Sequence, residues 1–199
     1  MKFLLAEPLR AFLFGCAIAL LGLVVWLADG SGDDLGLVSF LSRLVHIGAA
    51  MIWIGMIWFV NFIQLVALRE MDEVGQSMLL THIVPKVTAL LSIASHVVLA
   101  SGAILLLTTG YLFDRWVFPS SVYIPPARVF MLWLGAFAGL AMWGLVHVVI
   151  RPGIAMLLDR TRSATEIAEA RQRVAMAARV NLVLAAPVTF AMVAAAHLY

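Results

Sequence analysis

The chain is poor in what a water-soluble enzyme of its size leans on. A single cysteine, Cys16, stands among 199 residues. That excludes an internal disulfide and any paired-cysteine zinc or iron–sulfur site, and no C-x-x-C-H run is there to attach a haem covalently. Charge is scarce too: Asp, Glu, Lys and Arg make up 12% of the chain against 64% hydrophobic residues. A soluble domain of that balance could not stay dispersed, so the composition marks an integral membrane protein. The sequence has no G-x-S-x-G, no phosphate loop and no H-E-x-x-H, and its carboxylates gather in loops, which leaves hydrolysis without a seat. No nucleic-acid motif accompanies the net charge of +2, which in a membrane protein reports orientation. With no repeat, low-complexity tract or second domain, residues 1–199 read as one transmembrane domain.

Long apolar runs are what the chain does have. Crossing a hydrocarbon layer of about 30 Å takes about 20 apolar residues. Five segments qualify, about 9–28, 38–68, 84–109, 128–150 and 177–198. The predicted fold is all-α, a bundle of five transmembrane helices in the lipid bilayer. The first segment follows Lys2 and Arg10 as a secretion signal would, but it lacks an A-x-A-like exit and is expected to be retained. Asp29, Asp33 and Asp34 follow the first span, whereas Arg151, Arg160, Arg162, Arg171 and Arg173 lie between the fourth and fifth. The positive-inside rule then places the N-terminus in the cytoplasm and the C-terminus in the periplasm of a bacterial inner membrane. Residues 110–127, rich in proline and aromatic side chains, are expected to form an outer loop resting on the interface, a lid or docking surface. Ser163 and Glu166 have capping-box spacing, and helix formers run on through Arg173 into the last span, where Pro187 should kink the helix or leave a carbonyl free.

Ionisable side chains inside spans are expensive and mark functional candidates. His46 falls about 12 Å below the outer end of the second predicted helix, and His96 near the middle of the third. His82 and His147 lie toward the cytoplasmic ends of the third and fourth, and His197 at the outer end of the fifth. Residues three, four or seven apart share a helix face. Arg43, His46, Ala50, Trp53, Ile57 and Gln64 therefore make one stripe, while Gly135, Gly139, Trp143 and His147 step by four on the fourth helix. Small residues at that spacing admit another helix or a flat ring.

Neutral imidazole is a ligand for iron, copper or zinc, and two of them on different helices at one depth make a bundle site for b-type haem. Two pairings follow, His46 with His96 and His82 with His147, with Arg43 or Arg151 placed to meet a propionate. A lone histidine can equally hydrogen-bond a neighbouring helix, and tryptophans can be interfacial anchors, so a structural reading stands beside the ligand reading.

The run LSRLVHIGAAMIWIGMIWFV resembles the L-x-x-L-H-x-x-x-x-x-x-W-I-G signature of the urate oxidase N-terminal family, the membrane domain of bacterial urate hydroxylase. A looser likeness extends to copper-resistance D and haem-dependent protoporphyrinogen oxidase membrane proteins. LGAFAGLAMWGLVHVVIRPG and NLVLAAPVTFAMVAAAHLY are similar to later helices of the first family, with Asn181, Pro187, His197 and Tyr199 on matching positions. That family carries further spans and a cytochrome c domain, which these 199 residues lack, and Trp133 stands near the place of a family histidine. The resemblance therefore implies a five-helix scaffold suited to haem b and electron transfer, not urate oxidation by this chain alone.

The expectation is a membrane-embedded b-type haem protein passing electrons, with one haem b or two. It would work as a subunit or partner of a larger membrane redox complex or a soluble cytochrome, and any enzymatic part would be that of an oxidoreductase component. His46, His96, His82 and His147 are the candidate metal ligands, with Arg43, Trp53, Gly139, Trp143 and Arg151 lining the cofactor. The alternatives are a cofactor-free accessory or assembly subunit, and a quinone- or metal-handling membrane protein.

Overall fold

The computed structural model describes residues 7–28, 34–109, 126–159 and 161–197. Among these residues all regular structure is helical, and five helices are long and apolar enough to cross a membrane. Helix α1 is Pro8–Ala28. Helix α2 begins as Asp34–Phe59, widens through a π-helical turn at Val60–Gln64 and ends as Leu65–Glu70. Helix α3 is built alike, with Glu73–Met78, a π-turn at Leu79–Ile83, and Val84–Thr108. Helix α4 runs as Pro126–Gly144, a π-turn at Leu145–Ile150, and Arg151–Leu158. Helix α5 is unbroken over Ala164–His197. The expected connection at 110–127 falls, over residues 110–125, outside the described residues.

The chain divides into two units, Met1–Leu41 and Ser42–Tyr199. The first holds α1, an apolar helix whose span buries nothing within the chain. The second holds the rest of α2 and all of α3, α4 and α5, and every candidate residue lies in it.

Helix α3 starts at Glu73, well before the apolar run at residue 84, because Asp72 caps it: its carboxylate accepts the Gly75 N–H at 2.9 Å. At 36 residues it is about 54 Å long, so it projects beyond or tilts within a 30-Å-class hydrocarbon layer. The Ser163–Glu166 capping box forms as expected, with the Ser163 N–H reaching Glu166 Oε2 at 2.9 Å and the Glu166 N–H reaching Ser163 Oγ at 3.3 Å. Just ahead of it, Thr161 Oγ1 and N–H both donate to Asp159 Oδ1, at 2.6 and 3.0 Å.

Two of the π-turns end two residues before a proline, Pro85 and Pro152. A proline has no N–H to bond the carbonyl four residues back and its ring collides with that carbonyl, so the helix upstream widens to let the ring pass. Pro187 meets the same constraint without a π-turn. Helix α5 stays α-helical through it, and the carbonyl deprived of its usual donor belongs to Val183, which is exposed.

Apolar side chains gain little by leaving lipid for protein, so helices in a membrane are held by close packing. Helix α5 buries Ala170, Ala177, Ala178, Asn181, Ala185, Val188, Ala191 and Ala195, a seam of mostly small residues. Helix α4 answers with Gly135, Gly139, Met142, Val146, Ile150 and Gly153. A Cβ on Gly153 would lie 2.4 Å from Val174 Cγ2, and one on Gly135 would lie 2.8 Å from the Met192 methyl, so both glycines admit α5. Trp53 and Ile57 of α2 and Leu91, Ala94 and Val98 of α3 complete the core.

Gly153→Ala should therefore destabilise the detergent-solubilised protein by about 1–3 kcal/mol, because a branched valine beside it cannot yield. Gly139→Ala meets nothing within 4 Å and should be neutral or stabilising by up to about 1 kcal/mol. Denaturant titration of the two variants checks the order, and equal effects would contradict this packing.

A second expectation concerns acid. The bonds from the Thr161 side chain and N–H, with Arg162 nearby, hold the Asp159 carboxyl below its usual range. A depressed carboxyl contributes order that is present above its unfolded pKa and lost as pH falls through the folded one. The protection of the Thr161 amide, relative to its intrinsic exchange rate, should accordingly fall only below about pH 4, and Asp159→Asn should remove that pH dependence of the protection.

Candidate functional site

The histidines meet in a different arrangement from the one helical phase suggests. His96 of α3 and His147 of α4 lie edge to face, ring centres 4.4 Å apart at 79°. Trp143, one turn before His147, closes the group at 4.7 Å from His147 and 5.8 Å from His96. His96 is exposed, while His147 and Trp143 are half-buried, so the three rings form a ridge that runs from the core, where Trp143 packs with its Nε1 buried and unpartnered, to the outer side at His96.

His46, His96 and His147 are each tied down through Nδ1. A carbonyl can only accept, so Nδ1 carries the proton wherever one faces it. His96 Nδ1–H donates to Ser92 O at 2.8 Å, and His147 Nδ1–H to Trp143 O at 2.9 Å. In the neutral rings Nε2 is then the lone-pair nitrogen. The Ser92 hydroxyl sits 3.0 Å from His147 Nε2 and donates to it, whereas among the described residues nothing bonds His96 Nε2. This is the tautomer and orientation that metal-binding histidines use, with the second nitrogen anchored to a carbonyl.

His46 sits elsewhere. Its Nδ1–H donates across to Val98 O on α3 at 3.0 Å, with Ser101 Oγ at 3.3 Å. A Cβ on Gly102 would come within 3.1 Å of its Cε1, so this glycine lets the ring lie flat against α3. His82 is exposed in the π-turn of α3. Arg43 and Arg151 are exposed on α2 and α4. Trp53 is buried with its Nε1 lacking a partner, and Gly139 is buried on α4 with nothing within 4 Å of where a Cβ would lie. Among the described residues the histidine rings in contact are His96 and His147, while His46 fastens α2 to α3.

A porphyrin clamped between His96 and His147 as they stand does not fit. Imidazoles bound trans to one metal through bonds of about 2.0–2.1 Å hold their ring centres roughly 6 Å apart, wider than the 4.4 Å found here. A flat group laid against the outer side of the ridge, reached by His96 Nε2 alone, does fit the exposed ring and its unbonded nitrogen. Among the described residues no group of three or more His, Cys, Asp or Glu could hold a bare ion.

Polar residues of a second kind carry less obvious signals. Asn61, in the π-turn of α2, donates to Ile57 O at 2.8 Å and across to Ala178 O of α5 at 3.1 Å. Asn181 is 1% exposed, with neither amide atom partnered. Both line a small cavity with Thr88. An asparagine inside an apolar run was the available clue at each position, though Asn61 falls outside the histidine stripe.

The pairing is checked by cross-linking. In a Cys16→Ser background, a short thiol-specific cross-linker should join His96→Cys to His147→Cys within one chain and should fail with His82→Cys and His147→Cys. The reverse pattern would restore the pairing at the α3 and α4 ends.

No protein-family model, curated protein or solved structure matches this chain.

Proposed function

We propose that the protein is a multi-pass membrane subunit that passes electrons beside a larger redox enzyme or a soluble cytochrome, with the His96–His147–Trp143 ridge holding its redox group. The observation that carries this reading is the exposed His96 ring, about 18 Å inside the Thr108 end of α3. An imidazole facing hydrocarbon at that depth is costly, so in the assembled state something polar or metallic covers it. In this reading His96, through its unbonded Nε2, would be the residue of this chain that holds a b-type haem. When bound, that group supplies one-electron redox chemistry. The chain's own part is to hold the His96 plane through Ser92 O, to fix His147 through the Ser92 hydroxyl, and to pack Trp143 against both rings. The resemblance of residues 41–60, 134–153 and 181–199 to the urate oxidase N-terminal family points the same way. We place the N-terminus in the cytoplasm of a bacterial inner membrane, on the loop charges.

A second reading, a cofactor-free accessory subunit, is favoured by one specific observation. The Nδ1 protons of His96 and His147 and the Nε2 of His147 are all satisfied within the chain, so the ridge could equally be a packing surface for a partner.

Visible spectra of the full chain, purified in detergent from its own membranes, separate the two. Dithionite reduction should raise the sharp alpha band of a b-type haem. His96→Ala should abolish it, whereas His82→Ala and His197→Ala should leave it unchanged. A protein that co-purifies with a larger enzyme in fixed ratio but shows neither haem band nor bound metal is the accessory subunit instead.

A further inference from the structure

We infer that the groove walled by Glu73, Ser77, Thr81 and Arg171 is a binding site for a zwitterionic phospholipid headgroup, one that carries a primary ammonium beside its phosphate. The site is independent of the imidazole ridge. It lies where α3 begins, between that helix, the last turn of α4 and the first turns of α5, and offers about 260 Å³ to water-sized occupants. A single water takes roughly 10–15 Å³ on that measure, so the groove admits an organic group. Polar and apolar atoms share its surface about equally.

Charge balance in the groove identifies the occupant. On the neighbouring stretch Arg162 pairs with Asp159 at 3.2 Å and with Glu166 at 3.1 Å, and Arg173 pairs with Glu169 at 3.4 Å. Arg171 and Glu73 do not join them. Among the described residues neither has an ion partner, and they do not pair with each other although both line one groove. A ligand that satisfies both presents an anion to the guanidinium and a cation to the carboxylate. The hydroxyls of Ser77 and Thr81, four residues apart, are also without a partner among the described residues, whereas Thr88, Ser95 and Thr189 fold back onto their own helices. Each can donate to a phosphate or ester oxygen.

The apolar walls make the ligand a lipid. Leu80, Leu157 and Leu158 line the same groove, and Leu158 is left exposed. Along α3 the sequence passes from Asp72 and Glu73 to the apolar run Met78, Leu79 and Leu80 within the length of the groove. The site therefore straddles the boundary at which an amphipathic molecule changes from head to chain, and its glycerol has an apolar wall to lie on. The carboxylate sets the headgroup. A primary ammonium donates hydrogen bonds to Glu73, which a quaternary ammonium cannot, and a headgroup with no cation leaves that carboxylate beside a phosphate.

Native mass spectrometry of the full chain in detergent tests this, with three phospholipids of identical acyl chains bearing ethanolamine, choline or glycerol headgroups. The ethanolamine lipid should be retained about tenfold more tightly than either of the others. Arg171→Gln should weaken that retention about tenfold, whereas Arg173→Gln, whose partner lies on its own helix, should leave it unchanged. Glu73→Gln should abolish the preference over the choline lipid without weakening retention of the glycerol lipid. Equal retention of all three by the unmodified chain overturns the proposal, whether or not the variants fold. Displacement of the bound lipid by soluble phosphoethanolamine at equal concentration also overturns it, since the ligand would then be a soluble zwitterion. So does an Arg171→Gln variant that keeps both retention and preference, which would mean that the arginine takes no part in holding the lipid.

Discussion

A hydrocarbon layer offers no partner to a polar group, and most of what distinguishes this chain follows from that constraint. The backbone answers with helices. Many polar side chains answer by folding back on their own helix: Thr88 to Val84 O, Ser95 to Ser92 O, Thr189 to Ala185 O, and His96 and His147 to carbonyls four residues earlier. Groups satisfied this way add little to helix association. The hydrogen bonds that cross between helices in the second unit are correspondingly informative. His46 to Val98 O joins α2 to α3, and Ser92 to His147 joins α3 to α4. Arg128 Nε to Ala195 O joins α4 to α5, and Asn61 to Ala178 O joins α5 back to α2. Together these bonds tie α2 to α3, α3 to α4, α4 to α5 and α5 back to α2.

Within the unit, contact distance is set by side-chain size. Gly135 and Gly153 bring α4 onto the alanine seam of α5, where apolar burial alone would exert little pull in lipid. Of the glycines that looked able to seat a flat ring, Gly135 is occupied by α5 while Gly139 meets nothing within 4 Å, and His147 of α4 is turned toward α3.

The fold was largely legible in the residues. Five apolar runs of sufficient length, the Ser163–Glu166 box and the continuity of α5 through Arg173 all appear as read, since each depends on local chemistry. The facing of the second helix was legible in part: Trp53, Ile57 and Gln64 do point inward, but Arg43, on the same stripe, is exposed. Histidine pairing was not legible. His82 and His147 each sit in a π-turn, and an extra residue in one turn shifts every later side chain around the helix axis, so a 3.6-residue phase does not carry across it. The prolines behind two of these turns were visible in the sequence, but whether a proline kinks, widens or merely passes is settled by what packs beside it. Pro187, with exposed Val183 one turn before it, simply passes.

By itself, then, the order of residues determined that the chain is helical, that it has five lipid-compatible helices and that certain polar groups must lie within them, because length, hydropathy and capping act over a few residues. Only the tertiary structure decided that His96 meets His147, that His46 is a strap against Gly102, and that Asn61 and Asn181 line one cavity. Those outcomes depend on the rotation of each helix about its axis, which close packing of small residues and the π-turns set jointly, and no short stretch of sequence encodes it.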